Sequence, residues 1–579
     1  MKNKSIPQVL EEIAMLLEIK GENQFKTRAY YNAAKTLSGI DNLEDMIRAK
    51  RLREIKGIGE ALSKKIEEYG ETGRMAYFED LKKEIPESLL ELIGIPNLGP
   101  KKIKVLYDEL GITNTGELEY ACKENRLITL PGFGEKTQQK ILKGIEFIKR
   151  HKGEYLLGDA YPDAERIKER FGTKVRPGFV EVCGSIRRRK ETVKDIDILV
   201  AGDDYKALSA FFTAMPEIDE VLLTGETKTS CRLKSGIEVD LRVVSPEAYP
   251  YALMYFTGSK EHNVRLRGIS KKKGWKLNEY GLFEEDRFIG FKTEKDIYNA
   301  LGLSYIPPEL REDTGEIEAS EQGRLPELVT LEDMRGLFHV HTEFSDGVDT
   351  IERLRDEARK MGLEYMGISD HSRSAYYAGG LKVDDIYRQW EIIDRLNEAT
   401  PDFYIFKGIE SDILPDGRLD YDEEILKGFD FIIASIHSNF NLSREAQEKR
   451  IFRAMENPYT TMIGHPTGRL LLSRDGYAVD MRNVIDGAAK HNVIIELNAS
   501  PYRLDIDWRH LRYAKEKGVM ISINPDAHAA AGLYEIVYGV GIARKGWQEN
   551  KDVLNTRTAA GIMDIFENKR TKYYSGSIK

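Results

Sequence analysis

The sequence is poor in cysteine and has no long hydrophobic run. Its 579 residues include only 3 cysteines, Cys122, Cys183 and Cys231, and their spacing fits neither a zinc site nor a redox pair. We therefore expect three reduced thiols. No apolar stretch reaches the length of a membrane-spanning helix. The charges scattered through the first 20 residues indicate an amphipathic helix and not a signal peptide, so the sequence predicts a cytoplasmic protein.

Negative charge is in excess, but only in the C-terminal part of the chain. Lys and Arg number 52 against 49 Asp and Glu in residues 1–300, whereas the counts are 35 and 47 in residues 301–579. The acidic total does not exclude a phosphate-rich partner, since basic clusters such as Lys271–Lys273 stand in the balanced part. At about 150 residues per domain, the length predicts three or more domains.

Two aspartates alternate with isoleucines in the stretch DIDILV, which begins at Asp195. Residues i and i+2 of a strand share a face, so Asp195 and Asp197 are expected to point the same way. Asp240 stands in a similar alternation, and paired magnesium ions are a suitable counter-charge for such carboxylates. An isolated Asp-x-Asp is more often solvent-facing, but the preceding Gly184-Ser185 turn offers backbone N–H groups to a triphosphate. Together these features indicate nucleotidyl transfer.

Three glycine-containing turns each precede an amphipathic helix within the first 150 residues. Such a turn exposes backbone N–H groups at a helix N-terminus, where a DNA phosphate can dock. A single copy is more often a plain connection between helices, but the repetition favours three helix-hairpin-helix units that bind DNA without reading bases. Asn97 replaces the first glycine of the second turn. The candidate DNA contacts are Gly57, Gly59, Gly99, Lys101, Gly132, Gly134 and Lys136.

An aromatic pair, Tyr255-Phe256, precedes a turn at Gly258 and a helix that carries Asn263 and Arg267. The aromatic rings can lie against a nucleotide sugar, and the polar side chains can reach base edges in a minor groove. A core aromatic pair beside a solvated basic helix is an equally good interpretation of this motif alone.

After residue 333, seven short β-like runs alternate with helical segments, which predicts a parallel β/α barrel. Six of the 10 histidines and three carboxylates lie near the C-terminal ends of these runs, where barrel active sites are found. Nitrogen and oxygen ligands without cysteine favour two or three zinc, manganese or iron ions. The nine candidate ligands are His339, His341, Asp346, His371, Glu410, His437, His465, Asp526 and His528. Asp349, Asp370 and His491 are expected to be structural.

In motif order and spacing, residues 1 to about 311 resemble the family X DNA polymerases, the group that includes DNA polymerase beta. The resemblance rests on the helix-hairpin-helix turns, GSIRR, DID, VDLR, YFTGS and LGLSYIPPELRE. Residues 333 to about 570 resemble a polymerase and histidinol phosphatase (PHP) domain. The resemblance implies a monomeric DNA repair enzyme that fills gaps in primed duplex DNA from dNTPs, with a 3′–5′ exonuclease, and cleavage at abasic sites as a further activity, in the PHP domain.

The family resemblance also assigns roles to residues of this chain. By this resemblance, Asp195, Asp197 and Asp240 would hold two magnesium or manganese ions. Gly184, Ser185 and Arg188 would contact the triphosphate. Tyr255 and Phe256 would lie against the nucleotide sugar, Asn263 would touch the incoming base and Arg267 the template, and Gly258 is a further nucleotide-binding residue. Lys65 takes the position of a lyase lysine that forms a Schiff base with a 5′-deoxyribose phosphate. Three positions depart from the family pattern, namely Phe25, Ala61 and Glu238.

The expected architecture is multidomain α/β, with helical N-terminal domains, an α+β palm with a thumb, and a distorted seven-stranded barrel. The boundaries are a lyase-like domain at 1–80, a helix-hairpin-helix domain at 81–154, a palm at 155–245, a thumb-like subdomain at 246–311, an acidic linker at 312–332 and the PHP domain at 333–579. Two alternatives stay open. The barrel could be a phosphatase for a small ester, or the chain could be a DNA-binding scaffold with inactive sites.

Overall fold

The computed structural model describes residues 6–37, 43–55, 57–86, 88–93, 95, 98–128, 130–149 and 153–575, so Asn97 lies outside the described residues. The chain divides into two compact units, Met1–Ile148 and Lys149–Lys579. Among the described residues, no helix is both long enough and apolar enough to cross a membrane.

The first unit is helical. Its helices are α1 (Ile6–Lys20), α2 (Gln24–Leu37), α3 (Leu43–Arg48), α4 (Glu60–Thr72), α5 (Ala76–Glu84), α6 (Leu89–Ile93), α7 (Pro100–Leu110), α8 (Thr115–Lys123) and α9 (Glu135–Lys149). The apolar face of α1 is buried against α2, α5 and α7. One hydrophobic core extends from Val9 to Ile145, so the segments predicted as two domains, 1–80 and 81–154, share a core.

The three glycine turns have the same construction. In each turn a buried apolar residue, Ile58, Leu98 or Phe133, anchors the loop, and an exposed glycine follows it directly before α4, α7 or α9. Gly57 and Gly132 have φ values of +98° and +85°, a region that favours glycine. Within the described part of the chain, no atom lies within 4 Å of a Cβ built on Gly57, Gly59, Gly99, Gly132 or Gly134. The turns therefore present bare backbone outward, and the predicted helix-hairpin-helix architecture is confirmed.

The second unit begins with the palm. Its elements are β1 (Tyr155–Leu156), α10 (Leu157–Gly172), β2 (Val180–Val182), α11 (Gly184–Arg187), β3 (Thr192–Val193), β4 (Asp195–Ala201), α12 (Tyr205–Thr213), β5 (Ile218–Thr224), β6 (Lys228–Leu233) and β7 (Glu238–Val244). The main sheet has the order β2-β4-β7-β6-β5, and only β4 and β7 run parallel. Ile196 and Ile198 are buried in its core, so the carboxylates of β4 are left on the opposite face.

The thumb follows the palm and is tied to it by buried charges. Its elements are α13 (Tyr249–Thr257), α14 (Lys260–Lys272), β8 (Trp275–Asn278), β9 (Gly281–Glu284), β10 (Arg287–Ile289) and α15 (Glu294–Leu301). Glu294 at the start of α15 accepts hydrogen bonds from Arg187 of the palm at 2.7 Å and from Arg311 at 2.7 Å. Arg311 is fully buried, so the three charges depend on one another.

The acidic segment 312–332, which we expected to be a linker, is packed against the thumb. It forms α16 (Glu316–Glu321), and Glu316 is fully buried. An oxygen of Glu316 lies 2.6 Å from Nδ1 of His262, and the Glu316 carboxylate also accepts hydrogen bonds from the amides of Asp313 and Thr314. The linker assignment stays a prediction, but Glu316 of this segment is buried, because a partner 54 residues away in the chain lies within hydrogen-bonding distance of its carboxylate.

The C-terminal part is a barrel of seven parallel strands in chain order, as predicted. The strands are β11 (Gly336–Val340), β12 (Tyr365–Ile368), β13 (Tyr404–Asp412), β14 (Phe431–Ser435), β15 (Met462–Ile463), β16 (Ile494–Asn498) and β17 (Ile521–Asn524). The helices are α17 (Ile351–Lys360), α18 (Val383–Ala399), α19 (Glu423–Leu426), α20 (Arg444–Glu456), α21 (Met481–His491), α22 (Trp508–Glu516), α23 (Ile536–Lys545) and α24 (Ala559–Tyr574). Phe566 of α24 packs on Phe338, Phe406 and Phe431 inside the barrel.

The palm and the barrel share one hydrophobic core, which includes residues from Tyr155 to Val553. Their backbones approach closely at Gly158 of α10, where a Cβ would lie 2.4 Å from Cβ of Pro501. Tyr161 of the palm contacts Tyr538 of α23 with ring centroids 6.0 Å apart. The two parts therefore form one packed body.

We predict that Glu294→Ala strongly destabilises the second unit, because it leaves Arg187 and Arg311 buried without a counter-charge. Removing one partner of a buried ion pair costs about 3–5 kcal/mol. Burial alone would raise the pKa of Glu294, but the two arginines lower this pKa from 4.5 to about 2. The stabilisation is thus complete above about pH 4.5 and is lost as the pH falls towards 2. Thermal unfolding measures the loss.

The control for this variant is Glu284→Ala, which removes the exposed partner of Arg287 in the same subdomain. It should change the free energy of unfolding by less than about 1 kcal/mol. Equal losses from the two variants would contradict the importance that we assign to the buried charges.

Candidate active sites

The first candidate site lies on the solvent face of the palm sheet. The parallel register of β4 and β7 places Asp197 directly beside Asp240 and Asp195 beside Glu238. The structure thus brings together the three aspartates that the sequence selected. Arg232 pairs with Glu238 at 2.9 Å, so this departure from the family pattern has a local partner.

The three aspartates lie close together, and the positive charge near them does not compensate their negative charge. Burial, followed by Asp195 and Asp240, raises the pKa of Asp197 to about 7, and burial and Asp240 raise the pKa of Asp195. Lys228 Nζ lies 2.6 Å from Asp240, and Ser230 Oγ donates a hydrogen bond of 2.6 Å to the same carboxylate. Shifts caused by neighbouring carboxylates are relieved when a cation binds between them, so the donor set fits divalent ions.

The Gly-Ser turn packs directly against this carboxylate face. Gly184 has φ +60°, and a Cβ there would lie 2.3 Å from Oδ2 of Asp197, so only glycine allows the approach. Ser185 follows in the first turn of α11. Arg188 ends the turn, and its Nε donates to Glu312 at 3.1 Å while its Nη1 donates to the carbonyl of Thr257 at 2.5 Å. A Cβ on Gly258 would lie 3.0 Å from that Nη1.

The nucleotide-side residues lie beyond the turn, on α13 and α14. The rings of Tyr255 and Phe256 meet edge to face at 5.2 Å, and both are partly exposed. The guanidinium of Arg242 lies 4.4 Å from the Phe256 ring. Asn263 donates to the Tyr255 carbonyl at 2.7 Å, and Arg267 is exposed one turn further along α14. A base or sugar can therefore reach these groups.

The second candidate site lies at the C-terminal rim of the barrel and contains all nine predicted ligands. Their donor atoms form four overlapping groups in which all members lie within 4.8 Å of one another. The groups are His341 with Asp346, His371 and His528; His339 with Glu410 and His465; His339 with His341 and Asp526; and His371 with Glu410 and His437. Because four residues belong to two groups each, several ions could share ligands.

Glu410 lies at the centre of this cluster. Its Oε1 lies 2.9 Å from Nε2 of His465 and 3.2 Å from Nε2 of His437, and its Oε2 lies 2.9 Å from Nδ1 of His371. Burial alone would raise the pKa of Glu410, but the neighbouring histidines hold this pKa well below its usual range. An ionised central carboxylate surrounded by imidazoles fits the ligand set of a transition-metal site.

Several imidazole nitrogens in the cluster are buried without hydrogen bonds. Among the described residues, Nε2 of His339 and both ring nitrogens of His341 and His371 lie near carboxylate oxygens but make no hydrogen bond of acceptable geometry. Buried polar atoms are rarely left without partners, so these atoms fit a site built for metal. Three ligand residues also have left-handed backbone, with φ of +59° at His339, +22° at His465 and +55° at Asp526. Such strain is found mainly at functional sites.

A second layer of carboxylates orients the histidines, and the sequence reasoning missed it. Glu496 lies 2.6 Å from Nδ1 of His339 and accepts the amide of His465 at 2.6 Å. Asp412 lies 2.5 Å from Nδ1 of His437. Such contacts fix which imidazole nitrogen faces the metal. A signal existed, since Glu496 interrupts the otherwise apolar run VIIEL.

The three polar residues that we expected to be structural lie outside the four ligand groups. Asp370 accepts hydrogen bonds from the amide and hydroxyl of Thr342 and from Gln389, and Asp349 accepts the amide of Ala530 at 2.7 Å. Both carboxylates hold loops next to the cluster.

Four known protein-domain families match successive parts of the chain. A helix-hairpin-helix domain matches residues 1–75, a SAM-like helix-hairpin-helix tandem 89–146, a DNA polymerase beta thumb 252–312, and a PHP domain 338–500. "DNA polymerase/3′-5′ exonuclease PolX" of Bacillus subtilis (strain 168) is 39% identical over 570 residues, which are 97% of this chain and 99% of the relative. The chain belongs to the family X DNA polymerases that carry a C-terminal PHP domain.

Two shorter relatives match parts of this family X chain. "Repair DNA polymerase X" of African swine fever virus is 33% identical over 146 residues, 24% of this chain and 84% of the relative. A probable phosphatase of Caldanaerobacter subterraneus subsp. tengcongensis is 31% identical over 207 residues, 33% of this chain and 74% of the relative. PHP-type phosphatases are thus also among the relatives of this family X protein.

The first unit of this family X polymerase holds the lyase candidate in an aromatic setting. Lys65 Nζ donates to the hydroxyl of Tyr30 at 2.7 Å and lies 3.4 Å from the centroid of Tyr77. Burial, followed by the charge of Lys26, lowers the pKa of Lys65. Phe25, at the family's histidine position, is 81% exposed. Lys65 is therefore packed against aromatic rings, and its pKa is lower than that of a solvated lysine.

We predict that Glu410→Gln removes most of the stabilisation that metal ions give to the barrel. Ions that bind only the folded state raise its melting temperature, and the central carboxylate belongs to two of the four ligand groups. Adding manganese or zinc to chelator-treated protein should raise Tm by several degrees in the wild type and by much less in the variant. His510→Gln alters a histidine outside the four groups and should keep the full rise. A full rise in Glu410→Gln would exclude its role as a ligand.

Proposed function

We propose that the chain is a DNA repair polymerase that fills short gaps and that its barrel shortens DNA 3′ ends. The observation that carries this proposal is the meeting of Asp197 with Asp240 across parallel strands, with the Gly184 turn packed against the same carboxylate. The activities agree with the name of the Bacillus subtilis relative, which matches almost the full length of this chain.

In the palm, Asp195, Asp197 and Asp240 would hold two magnesium or manganese ions. When bound, such ions stabilise charge on the attacking and leaving oxygens of an in-line displacement. Ser230 and Lys228 hold the Asp240 carboxylate in place, facing the primer 3′-hydroxyl. Gly184, Ser185 and Arg188 bind the triphosphate, and Tyr255, Phe256 and Gly258 confine the sugar.

In the barrel, the nine rim residues would hold two or three zinc, manganese or iron ions. When bound, such ions supply an activated water and stabilise the leaving oxygen of a phosphodiester. Glu496 and Asp412 keep the imidazoles of His339 and His437 turned towards the cluster. The helix-hairpin-helix turns, with Gly57, Gly59, Gly99, Lys101, Gly132, Gly134 and Lys136, bind the sugar-phosphate backbone, and Arg267 contacts the template. We propose that the protein acts as a monomer on gapped or primed duplex DNA with dNTPs.

We predict that each site can be inactivated without the other. Asp195→Ala combined with Asp197→Ala should abolish extension of a 5′-labelled primer in a gapped duplex, with magnesium or manganese and dNTPs, because the ions lose two ligands. Shortening of the same primer without dNTPs should persist. His339→Ala should reverse the pattern, and His510→Gln should leave both reactions intact. Extension by the double variant would show that the polymerase site is misassigned.

A phosphatase for small esters is the alternative for the barrel, favoured by the probable phosphatase among the relatives. The same proteins separate the two possibilities. Release of phosphate from p-nitrophenyl phosphate, with no shortening of single-stranded DNA, would favour the phosphatase. If the wild type shows no primer extension, no primer shortening and no phosphate release, a scaffold with inactive sites is favoured instead.

We further propose that Lys65 acts as a deoxyribose phosphate lyase nucleophile, supported by its aromatic surroundings and lowered pKa. Borohydride should trap the wild type on DNA that carries a 5′-deoxyribose phosphate, and Lys65→Arg should abolish trapping because a guanidinium forms no Schiff base. Lys64→Arg, which alters the neighbouring 69% exposed lysine on α4, should trap normally. Equal trapping by both variants would exclude this role for Lys65.

A further inference from the structure

The barrel contributes a buried lysine to the polymerase half of the molecule. Lys545 is the last residue of α23, and its side chain has no exposed surface. Its Nζ donates to Oε1 of Glu312 at 2.5 Å and to the backbone carbonyl of Arg188 at 3.1 Å. Neither metal cluster uses this residue, and a buried ammonium is costly unless it is paired. The lysine therefore needs an explanation.

Glu312 links this lysine to the Arg188 side chain. The same oxygen that accepts from Lys545 also accepts from Nε of Arg188 at 3.1 Å, and the Glu312 side chain is only 12% exposed. Burial raises the pKa of Glu312, but Lys545 and Arg188 lower it overall. One carboxylate thus serves two cations, and the group of three carries one net positive charge.

We infer that Lys545 is a positioning residue for the polymerase site, because it neutralises Glu312 and leaves the charge of Arg188 available to the triphosphate of the incoming nucleotide. The inference rests on the proposed role of Arg188. Without Lys545, Glu312 would pair with Arg188 alone, and this pair would carry no net charge. Lys545 also fixes the Arg188 carbonyl, so the barrel holds the end of the phosphate-binding turn in place.

The neighbouring residue offers a matched control. Arg544 also lies at the end of α23 and bonds to Glu309 at 2.7 Å and to the carbonyl of Val329 at 3.0 Å. It fastens the same helix to the same region. None of its hydrogen bonds involves Arg188 or Glu312.

The test measures kcat and KM for dNTP in single-nucleotide gap filling by the full-length chain. We expect Lys545→Met to raise KM about tenfold and to leave kcat nearly unchanged. A tenfold change corresponds to the smallest free energies that are typical for losing a hydrogen bond to a charged group. Glu312→Gln should lower KM about threefold, because Arg188 and Lys545 then no longer share their positive charge with the Glu312 carboxylate. A change of this size is on the order of what one additional nearby charge contributes. The combination of the two should return KM close to that of the wild type. Arg544→Met should leave KM unchanged.

The opposite signs distinguish this inference from a purely structural role, since both single variants break the same contact. An increase of KM in both, or an equal increase in Arg544→Met, would overturn it. If Lys545→Met does not fold, as judged by lost 3′-end shortening, the direction of the Glu312→Gln change decides. Arg188→Ala serves as the reference. If Arg188→Ala leaves KM unchanged, Arg188 does not bind the phosphate, and the inference fails with that role. If Arg188→Ala raises KM but Lys545→Met does not, only the inference about Lys545 is overturned.

Discussion

The cost of burying charged and polar groups in a small volume is the constraint on which both candidate sites depend. Three carboxylates share one face of the palm sheet, and six imidazoles and three carboxylates converge at the barrel rim. Neither arrangement would be favourable without compensating partners. The protein supplies part of the compensation itself, through Lys228 at Asp240 in the palm and through Glu496 and Asp412 behind the histidines. The remaining donor atoms fit each candidate site to hold metal ions.

Because the palm and the barrel share a core, the two sites belong to one packed body. Arg189 illustrates the contact: it lies 4.2 Å from the Tyr161 ring centroid, and a Cβ on Gly541 of α23 would lie 3.0 Å from its side chain. Packed interiors do not deform continuously. If both sites act on the same 3′ end, the end must therefore travel to a fixed second site. The proposed role of Lys545 is a further consequence, since only a firmly docked barrel can hold a residue of the polymerase site.

The sequence predicted what depends on local periodicity and on topology. Alternation alone placed Asp195 and Asp197 on one face, and a parallel barrel brings the ends of its strands to one rim, so ligands spread from His339 to His528 could be grouped before any coordinates were known. Partners set by tertiary packing could not be found in this way. Glu316 was assigned to a linker because nothing in its own segment revealed the contact with His262. The triad of Arg187, Glu294 and Arg311 was missed for the same reason.

The backbone conformation contributes to the geometry of both candidate sites. Gly184 adopts a conformation that leaves no room for a side chain beside Asp197, and His339, His465 and Asp526 occupy the left-handed region without being glycine. Each such residue costs about 1–3 kcal/mol and persists only where the surroundings enforce it. Here the enforcing surroundings are the buried strands of the barrel and Glu496, which is within hydrogen-bonding distance of both His339 and His465. The candidate ligands are therefore held in place by contacts within the fold.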